Sequence, residues 1–251
     1  MMQRLLATAV LVAAAAAAVA QDMPLSQLLI EKEDWKLDKP AVSATFAVVR
    51  AKDGKVYVAH PEQQKVVVRD AAGKETDFAK LPLRGLAGTK SGTLYCTVPN
   101  DSAVYAIGAE GPPRKIADGI AEPTGIRLSA DEGTLYVADA AGKYIHTFRV
   151  EKDGALTCRE NYSTLQLPPG KKASGASSMT LDAVGRLYVA TTLGIQVFDT
   201  QGRLAGVIAR PEKGEITALS FGGADGDLLY ATCGEKLYAR KLKAKGAAPD
   251  K

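Results

Sequence analysis

The sequence predicts an all-β protein, a β-propeller built from four-stranded blades. Three observations lead there. First, an apolar residue, a tyrosine and a small apolar run recur together at KVYVAH (55–60), TLYCTV (93–98), TLYVAD (134–139), RLYVAT (186–191) and LLYATC (228–233). Second, the tyrosines of these motifs, Tyr57, Tyr95, Tyr136, Tyr188 and Tyr230, stand 38, 41, 52 and 42 residues apart. A period of about 40 residues holding several short strands is the signature of propeller blades. Third, the repeats alternate apolar and polar residues with period 2, and none sustains a helical period of about 3.6. Five repeats predict five blades. Six is the alternative, with a degenerate repeat hidden in 21–40 or 157–177.

The elements follow in chain order. Arg4 and the apolar run LLATAVLVAAAAAAVA (5–20), ending in Ala18-Val19-Ala20, read as a cleaved signal peptide over residues 1–20, with Gln21 as the mature N-terminus. The run is shorter than the roughly 20 apolar residues a spanning helix needs, and no second span follows. The protein is therefore expected to be exported, periplasmic or secreted, with no membrane span after cleavage. A short helix fits residues 23–32. Residues 21–242 form one propeller domain.

Within each repeat an alternating strand comes first: TFAVVRA (45–51), GLAGT (85–89), GIRLSA (125–130), SMTLDA (178–183) and TALSFGG (217–223). A Gly-bearing hairpin turn follows, since Gly takes positive φ at little cost. The Tyr strand is next, then a third strand: KVVVRD (65–70), AVYAIG (103–108), YIHTFRV (144–150), GIQVFD (194–199) or KLYARKL (236–242). A more polar fourth strand, such as ETDFAKL, PRKIADG or RLAGVIA, closes most repeats. The last repeat lacks one, and residues 28–35 are expected to supply it, which removes a sheet edge. The extra length between Tyr136 and Tyr188 reads as a flexible loop over 161–178, with Pro-Pro-Gly and Ser/Gly content. Residues 243–251 read as a disordered basic tail.

Composition excludes several functions. The net charge of +4 is mild and dispersed, with no basic stripe interleaved with aromatics, so no nucleic-acid partner is expected. The three cysteines, Cys96, Cys158 and Cys233, form no CxxC. One disulfide is open to them, although Cys96 and Cys233 read as buried structural thiols. The two histidines, His60 and His146, form no HxH or HExxH set. Ser177 and Ser178 lack a G-x-S-x-G frame. Asp139 and Asp182 occupy repeat positions; Asp182 is expected to order its own hairpin turn, and Asp139 either caps a turn or lines the tunnel.

Arg84, Thr124, Ser177 and Glu215 each precede the inner strand of a repeat, so they are expected to converge on one face with Asp139 nearby. Loops on a rigid scaffold are where propellers bind ligands, and Arg84 suits a carboxylate or phosphate.

Three segments then resemble one family in order and spacing: EPTGIRLSADEGTLYVADAAGKYIHTFRV (122–150), SSMTLDAVGRLYVATTLGIQVFDTQGRLAGVIARPE (177–212) and LSFGGADGDLLYAT (219–232). They are similar to the P-N-G, P-D-G-M and F-G-G signatures of the regucalcin/gluconolactonase-like (senescence marker protein type) propellers. The N-terminal half matches only as blade grammar. The resemblance implies six blades around a divalent metal, Ca²⁺ or Zn²⁺, held by Glu, Asn and Asp, and hydrolysis of lactones or related esters. A hard cation wants oxygen ligands and polarises a carbonyl or activates water. Here the chain departs from the family. The ligand Asn falls on Thr124, the ligand Asp on Ser177, a substrate-contacting Asn near Arg84, and the Glu near Thr45 or Phe46. Glu110-Gly111-Pro112 reads as a turn.

Hydroxyls do not neutralise a divalent charge, so no metal and no cofactor are predicted, with Ca²⁺ or Zn²⁺ expected only if the ancestral site is retained. The leading expectation is an exported binding propeller for a small polar or anionic ligand or a partner protein. The alternatives are a divergent lactone or ester hydrolase and an NHL-like structural or interaction module.

Overall fold

A computed structural model describes residues 24–40, 48–50, 56–70, 72–108 and 111–247, with only the backbone path given for 48–50. The expected signal peptide, Thr45, Phe46 and Glu110 lie outside the described residues. The chain forms five four-stranded antiparallel sheets, one per repeat. Strand β1 (Lys36–Lys39) comes first in the chain. Blade 1 holds β2 (Val48–Arg50), β3 (Val56–His60), β4 (Lys65–Arg69) and β5 (Glu75–Lys80). Blade 2 holds β6 (Gly85–Gly88), β7 (Leu94–Val98), β8 (Ala103–Ile107) and β9 (Arg114–Asp118). Blade 3 holds β10 (Pro123–Leu128), β11 (Thr134–Asp139), β12 (Tyr144–Val150) and β13 (Leu156–Thr164). Blade 4 holds β14 (Met179–Leu181), β15 (Leu187–Thr191), β16 (Gly194–Phe198) and β17 (Leu204–Ile208). Blade 5 holds β18 (Ile216–Gly222), β19 (Leu228–Cys233) and β20 (Lys236–Lys241), and β1 pairs antiparallel with β20 as its fourth strand. The first strands of successive blades pack on one another, β2 on β6, β6 on β10, β10 on β14 and β14 on β18, and so surround the axis.

The core lies between blades. Four apolar clusters fill the gaps from blade 1 to blade 5, and in three of them the repeat tyrosine faces the next blade. Tyr57 packs with Leu86 and Leu94, Tyr95 with Ile126 and Leu135, and Tyr188 with Leu219 and Leu229. Tyr95 also donates its hydroxyl to the Gly154 carbonyl of blade 3 at 3.1 Å. The motif supplies a long, flat side chain that reaches the neighbouring blade, and in Tyr95 it also satisfies a polar tip there.

Three expectations need correction. The strand that completes blade 5 is Lys36–Lys39, downstream of 28–35. Leu28 is instead buried in the blade 4/5 core, and the Trp35 indole donates to the Ala209 carbonyl at 2.8 Å, so those residues anchor the strand rather than form it. The helix over 23–32 shrinks to one 3-10 turn, Leu25–Gln27. Residues 243–247 of the expected tail are tied down. Lys243 N donates to Leu28 O, Ala183 N to Lys245 O and Gly246 N to Gly226 O, each at 2.8 Å, and Gly246 bridges to Asp182 in blade 4.

The 161–178 segment is also more ordered than its composition suggests. Its first residues extend β13. Leu165 and Ala176 are buried in the blade 3/4 core, and Ser174, fully buried, donates its hydroxyl to the Asp139 carbonyl at 3.0 Å. Small residues serve here as close-packing residues rather than as a hinge. Cys96, Cys158 and Cys233 are all free thiols; Cys96 and Cys233 are buried, and burial pushes the Cys96 thiol up to about 12.

Candidate functional site at the tunnel mouth

Each inner strand begins at the same end of the axis, so the residues just before them share one rim. Arg84, Thr124, Ser177 and Glu215 all line one cavity of about 560 Å³ at that rim. Glu122 and Arg210 line it as well. The sequence signals for these two were weak: Glu122 sits directly before Pro123-Thr124-Gly125, and Arg210 lies in the loop leading to β18. Thr191 and Thr192, at the end of β15, add hydroxyls to the wall.

Asp139 is not among the cavity-lining residues. It is nearly buried, and its Oδ1 accepts the Glu122 backbone N–H at 3.0 Å, so it positions the loop that carries Glu122 and Thr124. Asp182 orders its hairpin, accepting the Val184 and Arg186 amides on Oδ1, while Oδ2 receives the Arg186 guanidinium and the Tyr188 hydroxyl. His60, at the end of β3, lies beside Glu75 of β5 in blade 1. His146 is buried within blade 3, where burial and then the Arg159 charge lower its pKa.

The rim is stitched from blade to blade by hydroxyls. Thr97 Oγ1 accepts the Gly85 amide at 2.9 Å and donates to the Thr124 carbonyl at 2.5 Å. Thr124 Oγ1 donates to the Ala176 carbonyl at 2.6 Å, and Ser177 Oγ donates to the Ile216 carbonyl at 2.5 Å. The bonds to the Thr124, Ala176 and Ile216 carbonyls each link one blade to the next, while the Gly85 amide holds Thr97 within blade 2. Across the mouth, Arg84 Nη2 meets Glu215 Oε1 at 2.7 Å, joining the approaches to blades 2 and 5. Arg210 Nη1 donates to the Gly214 carbonyl at 3.1 Å. The cavity thus presents two guanidiniums, two carboxylates and several hydroxyls. That surface is suited to a small polar ligand bearing an anionic group.

This donor set does not fit a divalent cation. At Thr124 and Ser177, where the resemblance expects ligands, the side chains are neutral hydroxyls whose protons are committed to carbonyls. Glu215 is engaged by Arg84, and the described residues contain no group of three or more His, Cys, Asp or Glu able to hold a metal.

Fold and rim together define a five-bladed propeller with a polar cavity at one end of its axis. The chain belongs to the SMP-30/gluconolactonase/LRE-like family, whose pattern matches residues 86–235. Among curated relatives, it is 25% identical over 226 residues to a gluconolactonase of Zymomonas mobilis, covering 77% of this chain and 62% of that protein. It is 25% identical over 149 residues to the pentonolactonase XacC of Haloferax volcanii, covering 57% of this chain and 50% of that protein. The chain therefore spans between half and about six tenths of the length of these relatives. A solved regucalcin of Agrobacterium tumefaciens, described as calcium-binding, superposes with a TM-score of 0.66 at 20% identity, over 80% of this chain and 76% of that one.

Proposed function

We propose that this chain is an exported binding member of its family, which holds a small polar ligand with an anionic group in the tunnel-mouth cavity and lacks metal-dependent lactonase activity. One observation carries the reading. Thr124 and Ser177, which align with the family's ligand Asn and Asp, spend their hydroxyl protons on the carbonyls of Ala176 and Ile216. Export rests on the Arg4-led apolar run ending in Ala18-Val19-Ala20. In this reading Arg84 and Arg210 face the anionic group, Thr191 and Thr192 face hydroxyls, and Glu215 holds Arg84 in place.

The test pairs two assays on the mature protein. Gluconate, a polyhydroxylated carboxylate, is titrated calorimetrically into wild type and Arg84→Met. Aldonolactone hydrolysis and bound metal are measured after dialysis against Ca²⁺ and Zn²⁺. Saturable gluconate binding, weakened at least tenfold in Arg84→Met and without metal-dependent turnover, is the expected result. Stoichiometric metal with metal-dependent turnover overturns the reading in favour of a divergent lactone hydrolase, the activity in the names of its curated relatives.

A further inference from the structure

The charged groups that line the mouth cavity fall into two poles. Both guanidiniums are tied to one short segment, the approach to blade 5. Arg84 Nη2 donates to the Glu215 carboxylate at 2.7 Å, and Arg210 Nη1 donates to the adjacent Gly214 carbonyl at 3.1 Å. The other carboxylate of the lining, Glu122, stands just before the inner strand of blade 3. Among the described residues Glu122 forms no ion pair, and Arg210 pairs with no carboxylate. Arg84 and Glu215 neutralise each other. One positive charge, on Arg210, and one negative charge, on Glu122, are therefore left to face the cavity.

Glu122 is held in place. Its backbone amide donates to Asp139 Oδ1 at 3.0 Å, and its carbonyl accepts the Ala140 amide at 2.9 Å. Pro123 follows and fixes the next φ near −65°. A carboxylate on so restrained a backbone loses little freedom when a ligand meets it.

The hydroxyls of the lining extend the same polarity. Thr124 Oγ1, Ser177 Oγ and Thr192 Oγ1 donate their protons to the carbonyls of Ala176, Ile216 and Ser174. A hydroxyl whose proton is committed offers only lone pairs to a further partner. The blade 3 and blade 4 side of the cavity is thus a wall of acceptors, and it contains no Lys or Arg. The approach to blade 5 supplies the charged donors. A simple carboxylate bound there would leave Glu122 unpaired and facing a like charge. A ligand that also carries an ammonium group would satisfy both poles.

On the reading that this cavity holds a small polar ligand with an anionic group, we propose that the ligand is a small zwitterion of the amino-acid class. Its carboxylate lies at Arg210 and Arg84, and its ammonium lies at Glu122.

The experiment compares two probes by calorimetry on the mature protein at neutral pH. Gluconate is one. The other is 2-amino-2-deoxygluconate, which replaces one hydroxyl of gluconate with an ammonium and keeps the rest of the chain. Each is titrated into wild type, Glu122→Gln and Arg84→Met. Wild type is expected to bind the amino compound at least tenfold more tightly than gluconate. Glu122→Gln should weaken the amino compound at least tenfold and tighten gluconate, because the repelling carboxylate is gone. Arg84→Met should weaken both. Equal or tighter binding of gluconate by wild type, or a preference that survives in Glu122→Gln, overturns the zwitterion assignment. So does parallel weakening of both probes in Glu122→Gln. Each of these results leaves the cavity reading standing as long as Arg84→Met still weakens gluconate. If neither probe binds, or Arg84→Met changes neither, the cavity reading itself fails and the zwitterion assignment falls with it.

Discussion

Replacing Thr124 with valine separates a structural hydroxyl from a ligand hydroxyl. Valine keeps the branched shape and nearly the same volume, so no cavity opens. What disappears is the 2.6 Å bond from Oγ1 to the Ala176 carbonyl. Thr124 and Ala176 are both buried, at 4% and 1% exposure, so water does not replace the lost donor. Leaving one buried carbonyl unsatisfied costs about 1–3 kcal/mol. For a domain of this size about 1 kcal/mol moves Tm by about 2–4 °C, which puts the expected drop at roughly 2–12 °C. Urea unfolding is the assay. The midpoint should fall while the slope with denaturant stays constant, which assigns the change to stability alone. The titration is run with and without Ca²⁺. An unchanged midpoint in Thr124→Val would falsify the stitching argument. So would a wild-type midpoint that rises with Ca²⁺ and a variant midpoint that does not, because the hydroxyl would then be a ligand.

Other outcomes test other parts of the molecule. Burial, with a smaller contribution from Arg159, depresses the His146 pKa. As pH falls below the unfolded value of about 6.5, the unfolded chain takes up the proton first. Stability should therefore decline from that point down to the lowered folded value, and His146→Gln should flatten this part of a midpoint-against-pH curve. At Gly85 an added Cβ would lie 2.4 Å from the Thr124 carbonyl oxygen. Gly85→Ala should cost about 1–3 kcal/mol or more in chemical denaturation, and a neutral result would mean that blades 2 and 3 are further apart at the rim than described. Native protein should show one thiol that reacts quickly with an aromatic disulfide, Cys158, with Cys96 and Cys233 titrating only after denaturation. Two or three fast thiols would contradict the burial of the other pair.

The blades were legible because the repeat tyrosine does the same job in successive blades, as Tyr57, Tyr95 and Tyr188 show. A flat side chain that reaches the next blade imposes a period on the sequence, and Gly turns mark the hairpins. The mouth was legible for a related reason: Arg84, Ser177 and Glu215 stand just before their inner strands and Thr124 at the start of its own, and such places in a rotary fold share a rim. The misses have local causes. Residues 28–35 were assigned from the fourth strand that the last repeat lacks, but Leu28 and Trp35 are anchors whose partners, the blade 4/5 core and the Ala209 carbonyl, are distant in sequence. The Ser/Gly content of 161–178 looked flexible because small residues fit both open loops and tight contacts. Ser174 and Ala176 belong to the second kind. Glu122 and Arg210 were missed because each enters the cavity from a loop whose path only the assembled rim defines.

The altered mouth has a geometric cause. The rim residues lie against the neighbouring backbone: a Cβ on Gly85 would collide with the Thr124 carbonyl, and one on Gly125 would crowd Ser178. At that spacing a short hydroxyl reaches the next blade's carbonyl directly, as Ser177 reaches Ile216 at 2.5 Å. A carboxylate at the same position would face that carbonyl with lone pairs on both sides and no proton between them. It would also replace a satisfied donor with a buried charge. Ser177→Asp, although it supplies the residue type that the resemblance expects, is therefore expected to lower stability by a few kcal/mol and to gain no Ca²⁺-dependent stabilisation. Recovery of stability on adding Ca²⁺ would show instead that the rim relaxes outward to accept an ion, and the lost ligands would then be a simple substitution rather than a consequence of how closely the blades meet.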